Sequence, residues 1–485
     1  MSELLFFISI MLVSGIVISK ASYRFGMPSL LLFLLTGILA GSDGFGGIEF
    51  DNYDIAQQLG NIALIFIMFS GGLETKISTI RPIIKEGVIL STLGVILSVF
   101  IVGGFVYWVT GFSFYESMLL GAIVSSTDAA AVFGIFRSRK MGLKHNLRPL
   151  LELESGSNDP MAFIMTTTFI YLIKSPDVSI LDTIWILVRS ITLGGLCGWL
   201  FGRGMLWLIN RIKLDTDGLY PVLSLAMSML TFSATDIVGG NGFLAIYIAA
   251  VILGNNSFVH KKSLTRFHDG VAWLMQVVMF IMLGLLVTPS NIVPVIGVGV
   301  LVSIFMIVIA RPAMVFILMY FSRFTTKDKI FISWGGLRGA VPIVFASYAL
   351  VEGVPHSETI FNIVFFISIA SVLVQGTLLP YMSKKLELAL PQSDAASHPL
   401  DYEITDSFKS EMTEVRVDVG STADGAKIVE MNIPHSVMVI LVYRDGKYFA
   451  PNGSTKIQSG DVLTLMSENR KDVESIMMMC SNPAI

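Results

Sequence analysis

Long apolar runs, each near the length that crosses a bilayer, alternate along this chain with short polar loops. A spanning helix needs about 20 mainly apolar residues. That window predicts helices near 3–19, 28–42, 57–75, 87–109, 115–136, 149–173, 179–202, 218–237, 241–258, 269–287, 291–321, 330–350 and 358–383, thirteen in all. The loops between them alternate in charge. "KASYR" (20–24), "KISTIRPIIK" (76–85), "RSRKMGLKHNLR" (137–148), "NRIKLD" (210–215), "HKKSLTR" (260–266), "SRFTTKDK" (322–329) and "SKK" (383–385) are basic. Those in between, such as "SDGFGGIEFDNYD" (42–54) and "VTPSNIVP" (287–294), carry almost no Lys or Arg, Lys174 being the main exception. Basic loops stay in the cytoplasm, so the N-terminus is placed outside and everything after residue 385 inside.

After Lys385 the pattern changes. A polar stretch with two prolines (386–402) reads as a linker. Beyond it, in 403–485, short alternating apolar runs are separated by "RDGK", "PNGS" and "QSGD", which predict strands and tight turns. This is a small cytosolic α+β domain, of marginal size for folding alone, and dimerisation is a natural way to stabilise it.

Composition agrees with a polytopic membrane protein. The 485 residues are 53% hydrophobic and 14% charged, against about 25% charged in soluble proteins, and the mean hydropathy is +0.73. A net charge of −3 suggests no nucleic-acid partner. Cys197 and Cys480 make no disulfide framework. "MSELLFFISIMLVSGIVIS" lacks the basic start and small-residue cleavage site of a signal peptide and reads as a retained span.

Two runs contain helix-breaking polar stretches: "SSTDAAAVFG" (125–134), with Thr127 and Asp128, and "SWGGLRGAVP" (333–342), with Arg338. Unwound backbone is tolerated at membrane depth where it lines a cavity or is buried in protein, and transporters aim such broken helices at ions. The two runs are the fifth and the twelfth, an odd offset, so they cross in opposite senses, as an inverted repeat requires. Asp128 then neutralises helix N-termini and Arg338 helix C-termini.

"ELESGSNDPMAF" (152–163) sets carboxylates against an apolar run. Intramembrane ionisable groups are costly and usually functional. Glu152 falls near the cytoplasmic end. Glu154 and Asp159, five apart, project about 140° apart on a helix and need different partners. Ser155 lies four before Asp159 on the same face. Asp159, Ser155 and carbonyls freed near Thr127 make an oxygen cage for a monovalent cation, with no Cys or His cluster to favour a transition metal. A buried carboxylate holds a proton or a cation in turn. With Asn158 neutral beside it, the exchange is one-for-one and electroneutral. Glu154 is given a structural role, paired with Arg311, the other deep charge lacking a partner, with Arg338 competing. No phosphate loop, dinucleotide fingerprint or hydrolytic triad is present, so transport is secondary rather than ATP-driven and the chain is no enzyme. His145, His260 and His268 fall in or near cytoplasmic loops, where histidines can sense pH, though solvated loop histidines are far commoner.

Together "TD" (127–128), "ESGSND" (154–159), "ARP" (310–312) and "GGLRGAVPI" (335–343) resemble the NhaP-type monovalent cation:proton antiporters, in register over most of residues 1–385. The resemblance implies a thirteen-helix all-α fold with an inverted repeat, two crossed unwound helices and a homodimer in the bacterial inner membrane. It implies Asp159 as the ion- and proton-binding carboxylate, supported by Asn158 and Ser155, with Thr127 and Asp128 at the crossing. One departure concerns the third helix, where many relatives carry a glutamate in a segment like "FEGGL". Here "FSGGLE" puts Ser70 in that place, with Glu74 four residues on. The tail, above all "ILVYRDGKYFAPNGSTKIQSGDVLTL" (440–465), resembles an RCK_C (TrkA-C) domain. That resemblance implies dimerisation, cytosolic gating by a small ligand such as cyclic di-adenosine monophosphate, and potassium ahead of sodium. Arg444 and His435 are the basic residues available to an anionic ligand, though exposed basic residues are usually just solvated. The competing functions are a ligand-gated cation channel, for which no "TVGYG"-like filter is present, and a non-transporting sensor on a transporter scaffold.

Overall fold

The structure is a computed structural model that describes residues 6, 9–17, 29–128, 132–133, 135–136, 141–175, 177–391, 411–418, 420–434, 436–444, 447–467 and 470–481. It divides into two compact units, 1–393 and 394–485. The first is an all-α polytopic membrane unit. Among the described residues six helical stretches are long and apolar enough to cross a membrane: Tyr53–Glu74, Ile77–Val109, Ile180–Arg211, Lys261–Leu285, Pro289–Leu318 and Ser357–Lys385. Shorter apolar helices, including Phe114–Ile123, Gly242–Gly254 and Ala340–Val351, pack among them. Ile180–Arg211 is the most outward-facing, turning Trp185, Trp199 and Trp207 away from the protein. Its other face carries Gly194, Gly198 and Gly202, one every four residues. A Cβ on Gly198 would lie 2.7 Å from the Ala245 carbonyl oxygen, so this small-residue stripe lets the backbone of Gly242–Gly254 approach closely.

Two helices are interrupted, and the halves leading into both breaks start alike. Phe114–Ile123 opens with a capping box in which Ser113 and Glu116 each bond the other's backbone N–H. Thr326–Trp334 opens with the same device from Thr325 and Asp328. Such boxes satisfy donors that a helix start leaves orphaned. Each buried carboxylate also meets an exposed histidine: His356 Nδ1 lies 3.2 Å from Glu116, and His145 Nδ1 2.9 Å from Asp328. Both histidines have left-handed backbone (φ 56° and 57°) at the start of the next helix, Ser357–Ala370 or Leu147–Lys174. Past the breaks, residues 124–128 and 335–339 leave helical geometry. They are tied together where the Asp128 N–H donates to the Leu337 carbonyl, 2.7 Å. A Cβ on Gly339 would collide with Asp128 Oδ2, so only glycine fits there.

Two helices contain a wide π-helical turn, Met306–Ala310 and Ser371–Gly376. Each is followed by a proline, Pro312 and Pro380. Proline removes a helix hydrogen bond to the residue four before it and crowds that carbonyl; those residues, Val308 and Gly376, lie within the widened turns.

Residues 386–391, which the sequence assigns to the linker, belong to the membrane unit. Ala389–Pro391 pairs antiparallel with Met141–Leu143, Leu390 facing Gly142. The Lys144 N–H donates to the Leu388 carbonyl at 3.0 Å, Leu388 is buried, and Lys327 forms an ion pair with Glu387.

The second unit carries a four-stranded antiparallel sheet, in spatial order Glu411–Arg416, Val462–Ser467, Val437–Arg444, Lys447–Phe449, with the helix Arg470–Ser481. Its core includes Val417, Val442, Ile457, Leu463, Leu465 and Ile476. Burial pushes the Cys480 thiol up to about 11, so it is inert core rather than a reactive group. Arg444 makes two bonds to the Asp461 carboxylate, both 2.7 Å, which ties its guanidinium into the fold. His435 lies outside the described residues.

Candidate functional site

The carboxylate helix Leu147–Lys174 presents Ser155, Asn158 and Asp159 to the unwound stretch after Phe114–Ile123. Backbone that leaves a helix inside a membrane must find new partners, and side chains of this helix supply them. Ser155 Oγ donates to the Thr127 carbonyl at 2.7 Å. Asn158 holds Thr127 twice, its amide donating to Oγ1 at 2.5 Å and its carbonyl accepting from the backbone N–H at 3.4 Å. Ser126 Oγ donates to Asp159 Oδ1 at 2.5 Å. Ser126 is fully buried and Asp159 is 8% exposed.

The second break closes the site from the other side. Arg338 Nη1 donates to the Ser125 and Ser126 carbonyls, each at 2.6 Å, just past the C-terminus of Phe114–Ile123, where a cation complements the helix dipole. Asp128 lies against Gly339, at the start of Ala340–Val351, the end that favours an anion. One turn from the site, Arg311 Nη1 lies 2.6 Å from Glu154 Oε1. Arg311 also packs against Gly336 of the second break, where a Cβ would meet Nε at 2.7 Å.

The structure thus brings Thr127, Asp128, Ser155, Asn158, Asp159 and Arg338 together and sets Glu154 with Arg311 beside them. It treats the two third-helix residues differently: Ser70 is buried within Tyr53–Glu74, whereas Glu74 is exposed at its last position. The carbonyls near Thr127 are not bare, since those of Ser125 and Ser126 accept from Arg338 and that of Thr127 from Ser155. Sequence reasoning missed Ser126. Its only signal is a hydroxyl in the run Ser125–Ser126–Thr127, which both neighbours share, and the unwound backbone alone selects it. His268 also needs correcting. It is not a loop residue but lies buried within Lys261–Leu285, 2.8 Å from Ser224 Oγ and packed at a tilt against the Phe69 ring. Among the described residues no cluster of three His, Cys, Asp or Glu suits a resident metal. The site is built of hard oxygens, which suit alkali cations.

Comparison with known proteins agrees with this chemistry. Residues 8–385 match the family described as "Sodium/hydrogen exchanger, transmembrane", and residues 412–475 match the TrkA-C domain. The K(+)/H(+) antiporter NhaP2 of Shewanella baltica is 36% identical over 470 residues, 96% of this chain and 81% of that protein. The K(+)/H(+) antiporter NhaP of Alkalimonas amylolytica is 34% identical over 479 residues, 98% of this chain and 83% of that one. Among solved structures, the sodium proton antiporter MjNhaP1 of Methanocaldococcus jannaschii shares the fold, with a TM-score of 0.69 and 24% identity over 79% of this chain and 98% of that one.

Fold, site and matches define a secondary active transporter, a multi-pass inner-membrane protein with a cytoplasmic C-terminal domain. The chain belongs to the NhaP-type K+/Na+–H+ antiporter family, carries a C-terminal TrkA-C domain, and exchanges monovalent cations for protons.

Proposed function

We propose that this protein exchanges one K+ for one H+ electroneutrally, with Na+ as the second candidate, by alternating access at Asp159. The observation that carries this is a charge count. Glu154 cancels Arg311 in a buried ion pair, Asp128 and Arg338 are opposite charges on the two joined breaks, and Asn158 is neutral. One negative charge, on Asp159, is left to be matched by one proton or one monovalent cation. Ser126, Ser155 and Thr127 are oxygen groups within reach of a cation there, and Asn158 holds Thr127 in place. Potassium is favoured because the relatives matched over nearly the full chain are named K+/H+ antiporters.

In this reading thirteen helices form an inverted repeat whose fifth and twelfth members cross at their breaks. The matched capping boxes at Ser113 and Thr325, each with its histidine, support that symmetry. Two copies form a homodimer surrounded by lipid, and the C-terminal domain gates exchange on binding a small ligand, of which cyclic di-adenosine monophosphate is a candidate. Reconstituted full-length protein with a preset pH gradient tests the core of this. Added K+ dissipates the gradient with the parent, and Asp159→Asn abolishes dissipation while the purified variant stays folded and monodisperse. Normal exchange by Asp159→Asn rejects the carboxylate mechanism, and exchange indifferent to K+ but driven by Na+ rejects the cation assignment.

A further inference from the structure

The last helix of the membrane unit touches the ion site at a place no motif marks. A buried glutamine side chain is costly unless its amide is hydrogen-bonded, and Gln375, 3% exposed, is bonded at both ends. Its Nε2 donates to the Trp334 carbonyl at 3.1 Å, its Oε1 accepts from Ser371 Oγ at 2.6 Å, and its own backbone carbonyl accepts from Trp334 Nε1 at 3.1 Å. Trp334 is the last residue of Thr326–Trp334, where the second break begins. The Ser371 hydroxyl in turn accepts from the backbone N–H of Arg338, at 2.9 Å, inside the break. One turn of one helix thus holds the unwound segment at both its start and its arginine.

That turn is the π-helical Ser371–Gly376. Such widened turns recur at functional sites, and this one presents both Ser371 and Gln375 to the break. From Arg338 the bonds continue to the Ser125 and Ser126 carbonyls, and Ser126 Oγ ends on Asp159. A small pocket bounded by Ser303, Arg311, Gly336, Arg338, Ser371 and Gln375 adjoins the segment.

We infer that Ser371 and Gln375 are positioning residues for the exchange reaction: they clamp the unwound segment 335–339, and through Arg338 and Ser126 they set the cation-binding geometry at Asp159. The inference rests on Asp159 being the ion carboxylate. Neither residue touches the ion, so loss of the clamp weakens cation binding more than it slows turnover.

The test is cation-dependent proton exchange by full-length protein in liposomes over a K+ and Na+ concentration series. It compares the parent with Ser371→Ala, Ser371→Thr, Gln375→Met, the Ser371→Ala/Gln375→Met double variant and Asp159→Asn. Ser371→Ala and Gln375→Met each raise the apparent KM about tenfold, as loss of a buried hydrogen bond permits, with the maximal rate within about twofold. Ser371→Thr, which keeps the hydroxyl, restores the parental KM. The double variant is no worse than the poorer single, because bonds acting as one unit are not additive. Gln375→Met removes the amide at similar length without adding a buried charge, so it decides the matter if Ser371→Ala does not fold. Parental KM in both single variants overturns the clamp, as does a uniform loss of rate with KM unchanged. Exchange lost in Asp159→Asn with parental KM at the clamp variants sinks only this inference. Exchange retained in Asp159→Asn sinks the carboxylate reading instead.

Discussion

Glu154 and Arg311 face each other with side chains only 1% and 5% exposed, and the pair is incompletely served. Glu154 Oε2, Arg311 Nε and Arg311 Nη2 are buried with no hydrogen-bond partner among the described residues. Desolvating two charges is repaid only when the remaining donors and acceptors are satisfied. This pair therefore specifies an arrangement more than it stabilises one. Glu154→Leu or Arg311→Met alone strands the other charge and costs about 3–5 kcal/mol, read as a large drop in melting temperature of the detergent-solubilised protein. The Glu154→Leu/Arg311→Met double variant recovers most of that loss. Double-variant instability equal to the sum of the singles contradicts this account. At this scale the sequence is informative where chemistry is scarce. Two deep opposite charges without partners point to each other, and a lone acid in an apolar run points to itself. It is uninformative where chemistry is repeated. Ser125, Ser126 and Thr127 offer three adjacent hydroxyls, and only the path of the unwound backbone decides which one reaches Asp159.

At the scale of elements, the half-helices leading into the two breaks share one construction in different residues. Ser113 with Glu116 and Thr325 with Asp328 are both capping boxes, and His356 and His145 are both left-handed residues at the start of the following helix. Serine for threonine, glutamate for aspartate and a histidine from a distant loop hide this equivalence from a search for repeated letters. The apolar runs themselves were readable from length alone. At the Thr325–Asp328 box the construction has a pH consequence. The Asp328 carboxyl is held below the ordinary carboxylate range: burial opposes this but is outweighed by hydrogen bonds from His145 and Thr325. A group whose folded value is depressed stabilises above its unfolded value, about 3.9 for Asp, and that stability is lost as pH falls through the folded value. Asp328→Asn therefore lowers the melting temperature at pH 7 and flattens the further decline between about pH 5 and pH 3. Parallel curves for the two proteins across that interval exclude Asp328 as a source of acid sensitivity.

Over the whole molecule, the placement of the boundary between the two units carries a prediction. Contacts divide the chain after Ser393, eight residues beyond the end of the last spanning stretch at Lys385. A polar, proline-containing segment reads as linker because its partner, Met141–Leu143, is a three-residue strand nearly 250 positions earlier, and so short a pairing leaves no local pattern. The structural role is nonetheless substantial. Leu388 is 2% exposed within the membrane unit's core, and burying a leucine side chain is worth about 1.5–3 kcal/mol. The paired strand follows Leu388 directly, and Met141–Leu143 lies in the loop leading into the carboxylate helix. Lys327, joined to Glu387, lies in the first turn of the other broken helix. Anything that pulls on the chain after residue 391 therefore pulls on both elements of the proposed ion site. A chain ending at residue 393 keeps all of this and is expected to purify as a folded exchanger, whereas one ending at 385 loses Leu388, Glu387 and the strand. The shorter chain melts lower in detergent, and amides 141–144 exchange hydrogen faster in it than in the longer one. Leu388→Ala in the full chain reproduces the faster exchange at 141–144 with the C-terminal domain still attached. Equal protection of those amides in all three proteins means that the paired segment is passive, and that regulation by the cytoplasmic domain reaches the ion site by another route.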